Sequence, residues 1–197
     1  MQSVDAGDEL GPDDGLDPIE RLAVAYAPGT VRPAWRGFLA FDRRLADAAR
    51  EGRDPIMIQL RLAWWRDRMA EPAARWPAGE PLLAMLTAWD AERSALSAMV
   101  DGWEARNVGS DGGAALRSAR IAALEALARI GGARDGAVLA DVRRAAAEWL
   151  DRSGAGTIRL PRAMRPLVVL RGMALRGEEG PPLRRFLTLL RLGMLGR

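Results

Sequence analysis

What most constrains this chain is its punctuation. Asp17-Pro18 and Asp54-Pro55 each place a carboxylate acceptor just ahead of a residue with φ fixed for a first helical turn. Gly-rich breaks at VGSDGG, GGARDG and SGAG then close three further segments. Between the breaks the sequence is rich in Ala, Leu and Arg, all strong helix formers, and poor in β-branched residues.

The spacing predicts helices over Asp17–Ala25, Pro33–Glu51, Asp54–Glu71, Glu80–Arg106 and Ala114–Ile130. Another runs to Arg152, one begins at Pro161 and carries Pro166 inside it as a kink, and a last one covers Leu183–Leu195. We therefore expect an all-α bundle of about eight helices. It forms a single domain over residues 17–197, preceded by an acidic, disordered leader over residues 1–16.

Composition removes several kinds of chemistry. The 29 basic residues are all Arg, and the chain has no His and no Cys. Cys/His zinc sites, Ser/His and Cys/His nucleophilic pairs and Schiff-base lysines are all excluded. Carboxylate, Arg and Tyr chemistry remain, with hard metals such as Mg²⁺ bound through oxygen. No basic stretch followed by an apolar run opens the sequence, and no apolar run has membrane-spanning length. We expect a cytoplasmic location, with or without membrane association.

Charge is unevenly placed. Residues 1–20 carry seven acids and no Arg, whereas residues 159–197 carry nine Arg against Glu178 and Glu179. A basic C-terminal stretch suits an anionic partner such as a diphosphate, a phospholipid surface or an acidic protein. The final segment, PLRRFLTLLRLGMLGR, is amphipathic and basic. It reads either as an interfacial helix on anionic lipid or as a core helix closing the bundle. Nucleic-acid binding has no motif to support it.

FLAFDRRLADAAR, Phe38 to Arg50, holds two acids. Asp42 and Asp47 are five residues apart, so on a helix they point about 140° apart and do not easily share a metal. Asp67 and Glu71 have i,i+4 spacing but sit at a helix end before Pro72. Glu148 and Asp151 read as partners of Arg144 or Arg152. Trp64 and Trp65, adjacent in QLRLAWWRDRM, read as core, with Arg66 and Asp67 at the surface.

Several stretches together resemble the squalene/phytoene synthase family. Tyr26-Ala27-Pro28, Arg32, Ala34 and Leu39-Ala40-Phe41 follow that family's YAPxxxRxAxxALYAF pattern. Arg61 to Asp67, RLAWWRD, is similar to a helix of one branch, as are VDGWEA (Val100–Ala105) and LPRAMRPLVVL (Leu160–Leu170). The resemblance is clear over residues 20–105 and patchy beyond. It implies an isoprenoid synthase-like helical bundle with a central cavity. Active members condense two prenyl diphosphates, with Mg²⁺ held by two DxxxD elements. The branch also includes proteins held to have lost catalysis, among them a mitochondrial complex I assembly factor.

Matching Ala40-Phe41 to the family pattern puts the first DxxxD element at Ala46 to Arg50. Its outer aspartates become Ala46 and Arg50, and only the inner Asp47 remains. No DxxxD spacing occurs between positions 110 and 165 for the second element. The resemblance therefore implies a degenerate, non-catalytic member with no metal and no cofactor. It would bind a prenyl diphosphate or other lipid, or act as an assembly or interaction factor for a protein partner. Anion-contact candidates are Arg32, Arg36, Arg43, Arg61 and Arg66, with Tyr26 matching the family tyrosine. The plainer reading is a surface ion pair for each Arg and core packing for Tyr26. The alternative is an active Mg²⁺-dependent prenyltransferase of isoprenoid biosynthesis, which needs carboxylates placed elsewhere.

Overall fold

A computed structural model describes residues 15–109 and 111–176. Among these residues there are eight α-helices and no strand: α1 (Pro18–Ala25), α2 (Arg32–Ala48), α3 (Pro55–Ala70), α4 (Pro81–Leu86), α5 (Arg93–Val108), α6 (Ala114–Ile130), α7 (Gly136–Asp151) and α8 (Arg165–Ala174). The protein is an all-helical bundle around one hydrophobic core. The helix expected over Leu183–Leu195 and most of the acidic leader lie outside the described residues. Of the leader, Leu16 is buried against the core, so the packed chain begins before Asp17.

The helices start where their caps are. The Asp17 carboxylate accepts the Glu20 N–H at 2.8 Å, and Glu20 reaches back to the Asp17 N–H at 3.1 Å. Asp54 accepts from Ile56 N–H at 2.8 Å, and Asp135 accepts from Ala137 N–H at 2.7 Å. Such caps contribute about 1 kcal/mol each by satisfying N–H groups that have no helical partner.

α2 is the central element. It buries Ala34, Trp35, Phe38, Leu39, Phe41 and Leu45, and packs against α1, α3, α4, α5 and α6. The Trp35 indole N–H donates to Ala163 O at 2.8 Å, tying α2 to the segment before α8. Gly102 lets α5 and α6 approach closely: a Cβ there would stand 2.8 Å from Leu116 Cα.

Two expected helices differ. The span Glu80–Arg106 is broken into α4, a 3₁₀ turn at Thr87–Glu92, and α5. The turn presents Trp89 to the core, where it is fully buried and donates to Ala34 O at 2.9 Å. Asp90 in the same turn accepts the Ala73 N–H at 2.7 Å. These tertiary bonds outweigh the propensity that favours an unbroken helix. Pro166 does not kink a helix. A 3₁₀ turn at Arg162–Met164 precedes α8, and Pro166 sits in the first turn of α8, where its missing N–H has no helical partner to lose.

Candidate functional site: a basic cleft between α2 and α3

α2 ends at Ala48, and the chain reverses through Gly52 at φ +82° before Asp54 opens α3. The reversal sets the last turns of α2 beside the middle of α3 and leaves a cavity of about 410 Å³. Arg44, Asp47 and Ala48 of α2 form one wall, and Arg61, Trp64 and Trp65 of α3 form another. Arg53 from the connection and Glu80 from the segment before α4 complete it.

The floor is aromatic. Trp64 and Trp65 meet edge to face with centroids 4.7 Å apart, and Trp65 meets Phe41 in the same way at 5.2 Å. Trp65 is buried, but Trp64 is not core: it is 39% exposed. Consecutive helical residues lie about 100° apart, and only one of this pair faces α2 and α5.

The rim is ionic. The Asp47 carboxylate accepts from Arg50 Nη2 at 2.5 Å and from Arg53 Nη2 at 3.1 and 3.2 Å. Both of its oxygens are thus engaged by guanidinium groups. Arg44 approaches Glu80 at 3.7 Å, a loose ion pair rather than a hydrogen bond. Arg61 is exposed and makes no ion pair among the described residues. Three guanidinium groups therefore face two carboxylates in the cleft, and one of the three is uncommitted. The arrangement suits an anionic group, with aromatic surface beside it for an apolar one.

Of the sequence candidates, the structure brings only Asp47 and Arg61 into this cleft, with Arg50 beside them. Ala46 is half-buried and does not line it. Arg32 donates to Ala27 O at 3.0 Å and Ala25 O at 3.3 Å, closing the α1–α2 turn. Arg43 donates to Glu20 at 2.6 Å and to Asp17 at 2.7 Å, and the Glu20 hydrogen bond raises its pKa above the ordinary Arg value. Arg66 pairs with Asp101 and Glu104 of α5, and Arg36 lies exposed on α2. Tyr26 caps the C-terminus of α1 and packs half-buried on the core. Arg32, Arg43 and Arg66 hold turns or helices together, and none of these residues lines the cleft with Arg61. Arg44 and Arg53, which line the cleft, escaped the sequence reading. Their signal is the density of Arg around the α2–α3 connection.

The remaining acids are structural. Asp42 accepts the Trp103 indole N–H at 2.9 Å and pairs with Arg120 at 2.8 Å, joining α2 to α5 and α6. Glu148 pairs with Arg171 of α8, and Asp151 pairs with Arg117 of α6 at 2.6 Å, so neither takes Arg144 or Arg152. Partners on neighbouring helices win because two helix faces hold them in register. Glu71 meets Arg68 at 3.4 Å, and Asp67 is exposed. Among the described residues, no three acidic side chains are grouped so as to hold a metal ion, and no helix is long and apolar enough to cross a membrane.

A second, shallower cavity of about 390 Å³ runs along the outward side of α3, past Ile56, Leu60 and Ala63. No family model, curated protein or solved structure matches the chain.

Proposed function

We propose that this protein is a squalene/phytoene synthase-like binding protein that does not catalyse condensation. The α2–α3 cleft takes the anionic end of an isoprenoid or another lipid, held by Arg61, Arg53 and Arg44 against Trp64. Such binding serves storage, presentation, or assembly with a protein partner.

One observation carries the reading: the Asp47 carboxylate is engaged by both Arg50 and Arg53. Both oxygens of this carboxylate already accept guanidinium hydrogen bonds, and two nearby cations oppose metal entry. The same cations favour an anion with no metal bridge. The volume of the cleft, about 410 Å³, falls within the range of small-molecule sites.

The test is a fluorescence titration with farnesyl diphosphate in the presence of EDTA. Trp64 lies at the site and reports occupancy. We expect saturable binding without Mg²⁺, weakened about fivefold to tenfold in Arg61→Gln. Binding that requires Mg²⁺, or is indifferent to Arg61, would refute the assignment.

A further inference from the structure

α3 is apolar on two opposite sides. Ile58, Leu62, Trp65 and Met69 face the core. On the other side Ile56 is 70% exposed, Leu60 59%, Met57 45% and Trp64 39%. A helix that packs one apolar side on the core and leaves a second contiguous apolar side open presents a surface for a partner. These side chains adjoin one another over two helical turns, unlike the scattered apolar residues of an ordinary surface.

The charge around this face is specific. No acid occurs from Pro55 to Arg66. On its edge Arg61 makes no ion pair among the described residues, and the Arg68 guanidinium lies over the Trp64 ring, 5.8 Å from its centroid. At the ends of the face, Asp54 caps the Ile56 N–H and Asp67 lies beyond Trp64, confining the apolar surface to the turns between them. Beside Trp64 and Arg61 opens the cleft rimmed by Arg44 and Arg53. The face thus asks for an apolar partner, and its edge asks for an anionic one.

We infer that this face of α3 docks on an anionic phospholipid surface, with Ile56, Met57, Leu60 and Trp64 entering the acyl boundary and Arg61 meeting headgroup phosphate. A bilayer supplies both chemistries at the required spacing: aliphatic chains below, phosphates at the level where an interfacial Trp and a snorkelling Arg sit. A second copy fits less well. An antiparallel twofold contact sets like edges together, so Arg61 would meet its own Arg edge. Trp64 and Arg61 are shared with the cleft, but Ile56 and Leu60 do not line it, so substitutions at those two positions test the face separately from the proposed ligand site.

The experiment is co-sedimentation of the full chain with phosphatidylcholine vesicles, with and without about a quarter phosphatidylglycerol. We expect binding to the anionic vesicles that weakens as salt rises from about 0.15 to about 0.5 M. Ile56→Ser/Leu60→Ser should lower partitioning about tenfold or more, with farnesyl diphosphate binding retained. Arg61→Gln should lower it about fivefold. Quenching of Trp fluorescence by bilayer-brominated lipid should drop in Trp64→Phe, which keeps an aromatic ring beside Trp65.

Three results would overturn the inference. One is vesicle binding unchanged in Ile56→Ser/Leu60→Ser, which would place the contact elsewhere, for instance in residues 177–197. Another is equal binding to neutral and anionic vesicles. The last is a self-association abolished by the double substitution without any vesicle binding, which would assign the face to a second copy.

Discussion

The Arg50 guanidinium, just past the end of α2, lies 2.5 Å from the Asp47 carboxylate in its last turn. Arg53 holds the same group from the other side of the α2–α3 connection. In the family that the sequence resembles, the positions of Ala46 and Arg50 would carry the metal-binding aspartates. Here the remaining acid is paired with Arg.

Removing that acid separates the two readings of the cleft. Asp47→Asn frees Arg50 and Arg53 for a bound anion. We expect its affinity for farnesyl diphosphate in EDTA to rise about threefold to tenfold, as measured by fluorescence titration. A metal-ligand role for Asp47 requires the opposite, a loss of Mg²⁺-dependent binding.

The adjacent tryptophans should differ sharply. Trp65 is buried against Phe41, so Trp65→Ala should cost about 3–5 kcal/mol in chemical denaturation. Trp64 is partly exposed, so Trp64→Ala should cost about 1 kcal/mol or less while weakening both ligand and vesicle binding. Equal destabilisation by the two substitutions would contradict the placement of Trp64.

Gly102 is fixed by helix contact rather than by backbone conformation. Gly102→Ala would press a methyl group toward Leu116 Cα, at 2.8 Å, which is backbone and cannot rotate away. The gain in helix propensity is about 1 kcal/mol, and overpacking costs about 1–3 kcal/mol or more. We expect net destabilisation in urea unfolding; a stabilised variant would show that α5 and α6 separate readily.

Acid should loosen the α6–α7 contact. Hydrogen bonds from Arg117 hold the Asp151 carboxyl below its ordinary value. A carboxyl depressed in the folded state stabilises the fold above its unfolded value, about 3.9, and that contribution is lost as pH falls through the folded value. Thermal unfolding followed below about pH 4 should therefore fall more steeply with pH in the wild type than in Asp151→Asn. Identical slopes would show that the pair contributes nothing in solution.

The helices were legible because their signals are local. Asp17 and Asp54 cap the helices they precede, and Pro18 and Pro55 sit in first turns. The break at Thr87–Glu92 was not legible, since it depends on Trp89 finding Ala34 O more than fifty residues away. The same limit applies to the cleft. Asp47 and Arg61 stood out through spacing and resemblance, but Arg44 and Arg53 line it only because the Gly52 reversal lays α2 beside α3. Pairings such as Glu148 with Arg171 are likewise set by packing between helices.

The most direct measurement is release of pyrophosphate from farnesyl diphosphate incubated with the full chain, with and without Mg²⁺. We predict none above the buffer blank in either case, alongside saturable binding in EDTA. Mg²⁺-dependent release in proportion to protein would contradict a non-catalytic cleft.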